Sequence, residues 1–346
     1  ARPRGRRETP ADNIIVYFLH LSKGTAGAGR GKSHLFFPGV SHMIVSAGPL
    51  AAPPCPRGAR RGGRRNMFAA AGGLFVDNRP IGVFDSGLGG LTAVRELQRL
   101  LPGEDIIYFG DTGRVPYGGR SRDTIIRYAR QDVAFLRTFD LKAIVIACGT
   151  VSTTALDVLT AENDIPVWGV VEPAARAAAA ATKNGRVGLI GTQATIRSGA
   201  YERRIAQGAP QIQVMAAACP LFVPLVENGR FRRGDIVAET VVGEYLSPFR
   251  AAGVDTLVLG CTHYPLLTEI IGDYMGPEVA LIDVGQQCAK AVARRLERMD
   301  ALSQDGRTGE GRYYVSDSVE DFSRLASVFL RRDVEESVTQ VDIWKY

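Results

Sequence analysis

From residue 80 onward the chain is a series of short, wholly apolar runs, each closed by a small or polar turn and followed by a helical pattern. Ile81-Gly82-Val83-Phe84 runs into Asp85-Ser86-Gly87-Leu88-Gly89-Gly90, then a helix with Leu91, Val94, Leu97 and Leu101 on one face. Ile106–Phe109 ends in Gly110-Asp111-Thr112, and Ile125–Phe139 reads as a helix. Ala143–Ala147 is a third strand, with a helix from about Ser152 to Leu159 behind it, and Val167–Val171 is a fourth. The rhythm restarts at Val187–Ile190 with Gly191-Thr192, and Thr256–Leu259 is a later strand. A strand apolar on both sides has to be covered on both faces, and strands separated by helices pair in parallel. The pattern predicts an α/β chain of two pseudo-symmetric open parallel-sheet domains. In such sheets chemistry collects beyond the carboxyl ends of the strands, so the residues to weigh are those that follow an apolar run.

Two strand ends look alike. One reads Ala143-Ile-Val-Ile-Ala-Cys148-Gly149-Thr150, the other Thr256-Leu-Val-Leu-Gly-Cys261-Thr262-His263, 113 residues further on. A single strand-end cysteine is usually a small buried hydrophobe. Two in matched settings, one per half, suggest a duplication with a site in the cleft between the halves. The only histidine after residue 76 is His263, two residues from Cys261. Imidazole is the side chain best suited to move a thiol proton near neutral pH. The bland alternative is a histidine that caps a helix. The glycines after Asp85 lack the sixth position of a dinucleotide fingerprint, where Thr92 stands, and no phosphate-loop Lys follows. They suit a tight turn whose amides face a carboxylate, with Asp85 as an amine ligand, a modulator of a nearby thiol, or merely an N-cap. Pro116-Tyr117-Gly118 is a rigid loop carrying one amphipathic ring.

Two thiols facing one pocket from opposite halves suggest proton transfer by two bases. Inverting a carbon needs one group to remove a proton and another, on the opposite face, to deliver one. A cysteine hydrolase would leave the second cysteine unexplained, a redox pair is usually close in sequence, and Cys261 with His263 gives too few ligands for a metal. The five cysteines, Cys55, Cys148, Cys219, Cys261 and Cys288, contain no Cys-x-x-Cys and fit free thiols in a reducing compartment, with Cys219 and Cys288 read as structural.

Charge is divided unevenly. Residues 1–76 hold 12 Lys+Arg against 2 Asp+Glu, a net +10, and the remainder carries −4. The first 76 residues also hold 12 of the 39 glycines and 7 of the 18 prolines. They read as a disordered basic extension, as sequence upstream of a start at Met67, or as an Arg-rich targeting segment. The mildly acidic remainder argues against nucleic-acid binding by the body. No apolar run approaches the roughly 20 residues of a membrane-spanning helix.

Five segments together resemble the glutamate racemases: Ile81-Gly-Val-Phe-Asp-Ser-Gly-Leu-Gly-Gly-Leu-Thr92, Tyr108-Phe-Gly-Asp-Thr-Gly-Arg-Val-Pro-Tyr-Gly118, Gly191-Thr-Gln-Ala-Thr195, Cys219-Pro-Leu-Phe-Val-Pro-Leu-Val-Glu227 and Gly260-Cys-Thr-His-Tyr-Pro-Leu-Leu267. Asp85-Ser86-Gly87 and His263 favour glutamate over aspartate within that superfamily. The resemblance implies cofactor-independent interconversion of L- and D-glutamate, with no metal, in the cytoplasm, supplying peptidoglycan. It makes Cys148 and Cys261 the two bases, with Asp85 assisting one and Glu227 with His263 the other. Asp85, Ser86, Pro116, Tyr117, Gly118, Gly149, Thr150, Thr192, Thr195, Thr262 and His263 line the substrate site. The family fold implies a first domain of residues 77–171 plus 284–346 and a second of 172–283, often in a homodimer. From pattern alone Glu227 is an exposed helical glutamate. A related racemase of different acid selectivity, or a glutamate-binding module without catalysis, are the alternatives. One position departs: the family reads Cys-Asn-Thr where this chain has Cys148-Gly149-Thr150. Loss of that Asn amide predicts weakened activity, which Gly149→Asn would raise.

Overall fold

The computed structural model describes residues 77–346 apart from 305, 335 and 336; the expectations for residues 1–76 lie outside the described residues. Among the described residues ten strands form two sheets. Strands β1 (Ile81–Asp85), β2 (Ile106–Gly110), β3 (Ala143–Ile146), β4 (Val167–Gly169), β9 (Gly311–Val315) and β10 (Val338–Gln340) form one, and β5 (Arg186–Gly191), β6 (Gln213–Ala218), β7 (Thr256–Leu259) and β8 (Ala280–Asp283) the other. The first has the order β10-β9-β2-β1-β3-β4, the second β6-β5-β7-β8. Every pairing is parallel, with Phe84 against Ile146 in one sheet and Ile190 against Leu259 in the other. The four-strand orders 2-1-3-4 and 6-5-7-8 are the same topology, so the expected pseudo-symmetry is present, and the first sheet adds two edge strands. In each, the chain steps to one side of its first strand and then to the other. That reversal leaves a crevice at the carboxyl ends of β1 and β3, and of β5 and β7. Cys148 and Cys261 follow β3 and β7, the corresponding strands.

The sheets hold because alternate residues feed different cores. Ile81, Val83 and Tyr108 face one buried cluster, and Phe84, Ile107 and Phe109 face another. Helix α1 (Leu91–Leu100) leaves the glycine turn and packs on the helix Val284–Arg298, which leads out of the second sheet. Their backbones touch where Gly285 meets Ala93, at 3.2 Å for a Cβ placed there.

Several boundaries differ from the sequence reading, three of them for a physical reason the structure shows. The helix expected from Ser152 starts at Gly149 and is broken into α3 (Gly149–Thr154) and α4 (Leu156–Glu162). Its run Thr150-Val151-Ser152-Thr153-Thr154 is β-branched and hydroxyl-bearing, so side chains compete for backbone groups. Thr153 Oγ1 donates to Thr150 O at 3.0 Å, and Ser152 Oγ to Ile146 O at 3.0 Å. Strand β4 stops at Gly169 because the Val170 N–H donates to Ser152 Oγ and α5 (Val171–Ala181) begins there. Helix α2 (Arg122–Leu136) starts earlier than expected, on the Ser121 N-cap.

Candidate active site

The two cysteine-bearing strand ends open onto one cavity of about 390 Å³. Its wall includes Ser86, Cys148, Gly149 and Thr150 from the first sheet's edge, and Thr192, Cys261, Thr262 and His263 from the second's. Pro116, Tyr117 and Gly118 close one side, and Glu227 another. Asp85 and Thr195 are not in the wall. Asp85 is fully enclosed behind it, and Thr195 lies beneath Thr192, whose hydroxyl it meets at 3.0 Å.

The first thiol sits at the N-cap of α3, buried, with Ser86 Oγ 3.3 Å from its sulfur. Burial and the nearby Asp85 carboxylate push the Cys148 thiol up to about 12, against the pull of Ser86 and the Val151 amide. Burial therefore outweighs the six-residue helix that Cys148 caps. Asp85 itself is pushed up by burial, while His263 and the Gly87 and Gly90 amides oppose it. Its Oδ2 accepts from Gly87 N at 3.0 Å and its Oδ1 from Thr262 Oγ1 at 3.4 Å, so it ties the glycine turn to the other half. A methyl group at Gly89 would lie 2.5 Å from His263 Nδ1 and nearer still to Thr262, so only glycine lets these turns meet.

The second thiol has different company. His263 places Nδ1 3.9 Å from Cys261 Sγ and Nε2 3.0 Å from Glu227 Oε1. Burial alone would lower the imidazole, but bonds to Cys261 and Glu227 and their charges prevail and push it up to about 10. The edge of Phe329 packs on the ring at 5.7 Å between centroids. Glu227 ends α8 (Phe222–Glu227) and is part-buried, reaching His263 across 36 residues of sequence.

Tyr117 does not offer its hydroxyl to the cavity. The hydroxyl donates to Asp111 and lies 3.1 Å from Asp132 Oδ2. Arg114, also buried, binds Asp111 at 2.6 Å and Asp132 at 2.8 Å, and Ser316 donates to Asp111 at 2.8 Å. Burial and the Asp111 charge push Asp132 well up. This enclosed network holds the Pro116–Gly118 segment as a fixed wall, since each member is over-determined by its neighbours.

Residues 85–292 match the sequence family described as Asp/Glu/hydantoin racemase. The chain belongs to that family. It is an isomerase of the racemase class, and it is 49% identical to a glutamate racemase of Geobacter metallireducens over 252 residues, 73% of this chain and 93% of that one. A glutamate racemase isoform of Bacillus anthracis superposes with a TM-score of 0.73 at 38% identity, over 77% of this chain and 98% of that chain. The glutamate racemase of Francisella tularensis solved with D-glutamate superposes with a TM-score of 0.72 at 40% identity, over 78% of this chain and all of that one.

This racemase also lines its cavity with residues that the sequence reading left aside. Cys219, read as structural, directly follows β6, and Cys219, Pro220, Val223 and Pro224 make an apolar wall. The signal was available: β6 is another strand whose end carries a cysteine, but its Gln213–Ala218 run is less apolar than the others. Cys288 is buried in the helix Val284–Arg298 with its thiol 3.8 Å from Gly169 O, outside the cavity wall. The departure at Gly149 acquires a steric meaning. A Cβ there would lie 2.5 Å from the Gly260 carbonyl oxygen, so the two cysteine turns meet backbone to backbone. Thr150 and Thr192 hydroxyls also bridge the halves at 2.9 Å.

Proposed function

We propose that this racemase interconverts L- and D-glutamate by passing the α-proton between Cys148 and Cys261. The observation that carries the reading is that the topologically equivalent ends of β3 and β7 deliver one thiol each to a single cavity. The two sulfurs face the cavity from different sheets, as inversion at one carbon requires. The relatives named glutamate racemase support the substrate. One sulfur takes the α-proton from its face, leaving a carbanion, and the other thiol gives its proton to the opposite face. The thiol and thiolate have then exchanged places, and the reverse reaction or solvent restores them.

His263 with Glu227 serves Cys261, while Ser86 serves Cys148 directly and Asp85 acts through its surroundings. Thr150, Thr192 and Thr262 with the glycine-turn amides hold the carboxylates, and Pro116–Gly118 fixes the wall they face. The halves 77–171 with 284–346, and 172–283, are the bodies that carry the two thiols. The product D-glutamate is read as a cytoplasmic supply for peptidoglycan, and a homodimer as the working form. The test uses the full chain and L-glutamate in heavy water, with no added cofactor. Deuterium entering the α-carbon as D-glutamate appears is the expected outcome. Glutamate binding without exchange or inversion, from protein with both thiols reduced, would leave a binding module instead.

A further inference from the structure

Beside the substrate cavity lies a second cleft of about 540 Å³, whose wall includes Arg120, Arg122, Arg197 and Arg203. Arg120 and Arg122 lie at the start of α2, in the first half of the molecule. Arg197 lies in α6 (Gln193–Ser198) and Arg203 in α7 (Ala200–Gly208), in the second. The only acidic side chain in the wall is Asp157. The four guanidinium groups are exposed, and none has an ion-pair partner among the described residues. Their neighbours are paired: Arg130 with Glu162 at 2.5 Å, and Arg204 with Glu172 at 2.7 Å. Asp123 of α2 and Glu202 of α7 are the other acids nearby, and Glu202 is part-buried. Gly199, at φ +59, turns α6 into α7, and the Arg203 guanidinium folds over it, 3.0 Å from where a Cβ would stand.

Four guanidinium groups without an ion pair face one wall carboxylate, and in a body of net −4 they form a positive island. A guanidinium presents its donors as a fork that matches an oxyanion. The volume falls within the roughly 300–1,000 Å³ of small-molecule sites. We infer that this cleft is a binding site for a small polyanion bearing several phosphoryl or carboxylate groups, which bridges the two halves of the molecule beside the substrate cavity.

Neighbouring residues of the same segments line the two spaces. Gly118 and Gly119 line the substrate cavity and Arg120 the cleft, while Gln193 faces one and Ala194 the other. The Ala194 N–H donates to Gly118 O at 3.0 Å, stapling these segments. A polyanion held by arginines from both halves opposes their separation, so it slows opening of the substrate cavity. The binding itself does not rest on the glutamate reading.

The experiment is calorimetric titration of the full chain at low salt with tripolyphosphate, and separately with citrate, to distinguish phosphoryl from carboxylate ligands. The expected result is saturable binding by at least one, weakened about tenfold or more in both Arg120→Ala and Arg197→Ala and unchanged in Arg312→Ala. Glutamate should not displace it. The same ligand should raise the melting temperature of the parent and not of the variants. Equal affinity in the parent and both arginine variants would place the anion elsewhere, including the arginine-rich first 76 residues, and overturn the site. No binding of either ligand, or competitive displacement by glutamate, would also overturn it.

Discussion

The ends of β3 and β7 have the same topology and opposite electrostatics. At the first, Cys148 is enclosed with Asp85 behind it and only neutral donors, Ser86 and the Val151 amide, against its sulfur, and its thiol is pushed up to about 12. At the second, Cys261 faces an imidazole pushed up to about 10 and backed by Glu227. A duplicated backbone thus presents one sulfur beside a buried carboxylate and the other beside a cation. Unlike surroundings suit a reaction in which the two thiols take opposite roles, one giving a proton while the other accepts one.

The strongest way to break that comparison is to remove each thiol. Cys148→Ser and Cys261→Ser should each lower racemisation by about 10³-fold, within the range a positioned acid or base contributes. The two variants should then differ. With one thiol left, a proton can leave and return on the same face, so each variant should exchange the α-proton of one enantiomer into heavy water without inverting it. Proton NMR of L- and D-glutamate with each variant reads this directly. Both variants exchanging the same enantiomer would sink the assignment of one thiol to each face.

The next effect tests the contact between the two turns. Gly149→Ala and Gly149→Asn bring the same Cβ against the Gly260 carbonyl, which a real Cβ would not tolerate at 2.5 Å. Both should lower the melting temperature, since backbone rather than a flexible side chain has to yield. Only Asn adds an amide able to meet the substrate. A hydrogen bond to a charged group is worth roughly 1.5–3 kcal/mol, so kcat/KM of the Asn variant should exceed that of the Ala variant by about ten- to a hundredfold. Equal values would show that the position matters only as a close approach. The gain expected from sequence alone is therefore sharpened: the comparison that isolates the amide is Asn against Ala, not Asn against Gly.

Much of this was legible in the sequence, for physical reasons that differ by residue. Fully apolar runs such as Ala143–Ile146 declare a covered parallel sheet, and a polar residue at their ends declares the catalytic edge. Cys148, Cys261 and His263 stood out on that rule alone. Glu227 did not, because its partner lies 36 residues away and no local period encodes a contact between a helix end and a strand end. Cys219 was missed because β6 is half-exposed, which weakened its apolar run. That Gly149 meets Gly260 could not be read at all, since it depends on how closely two strand ends from different sheets approach. The seat of Asp85, behind the wall rather than in it, is of the same kind.

The smallest effect concerns the group that makes the second thiol's surroundings unlike the first's. Glu227→Gln removes a charge from His263 and should lower kcat/KM by about tenfold, the low end for a bond to a charged group because the Glu227 side chain is 32% exposed. The signature lies in pH. His263 is raised in the folded chain to about 10 from an ordinary 6.5. The stability it contributes is complete below about 6.5 and is lost as pH rises through about 10. The parent should therefore melt above the variant near pH 6, and the gap should close by pH 10. The basic limb of the parent's pH–rate profile, for the direction in which Cys261 takes the proton, should move down in the variant as the imidazole loses its partner. A variant with lower kcat/KM and an unmoved basic limb would make Glu227 a packing residue, and the contrast between the two thiols would then rest on His263 alone.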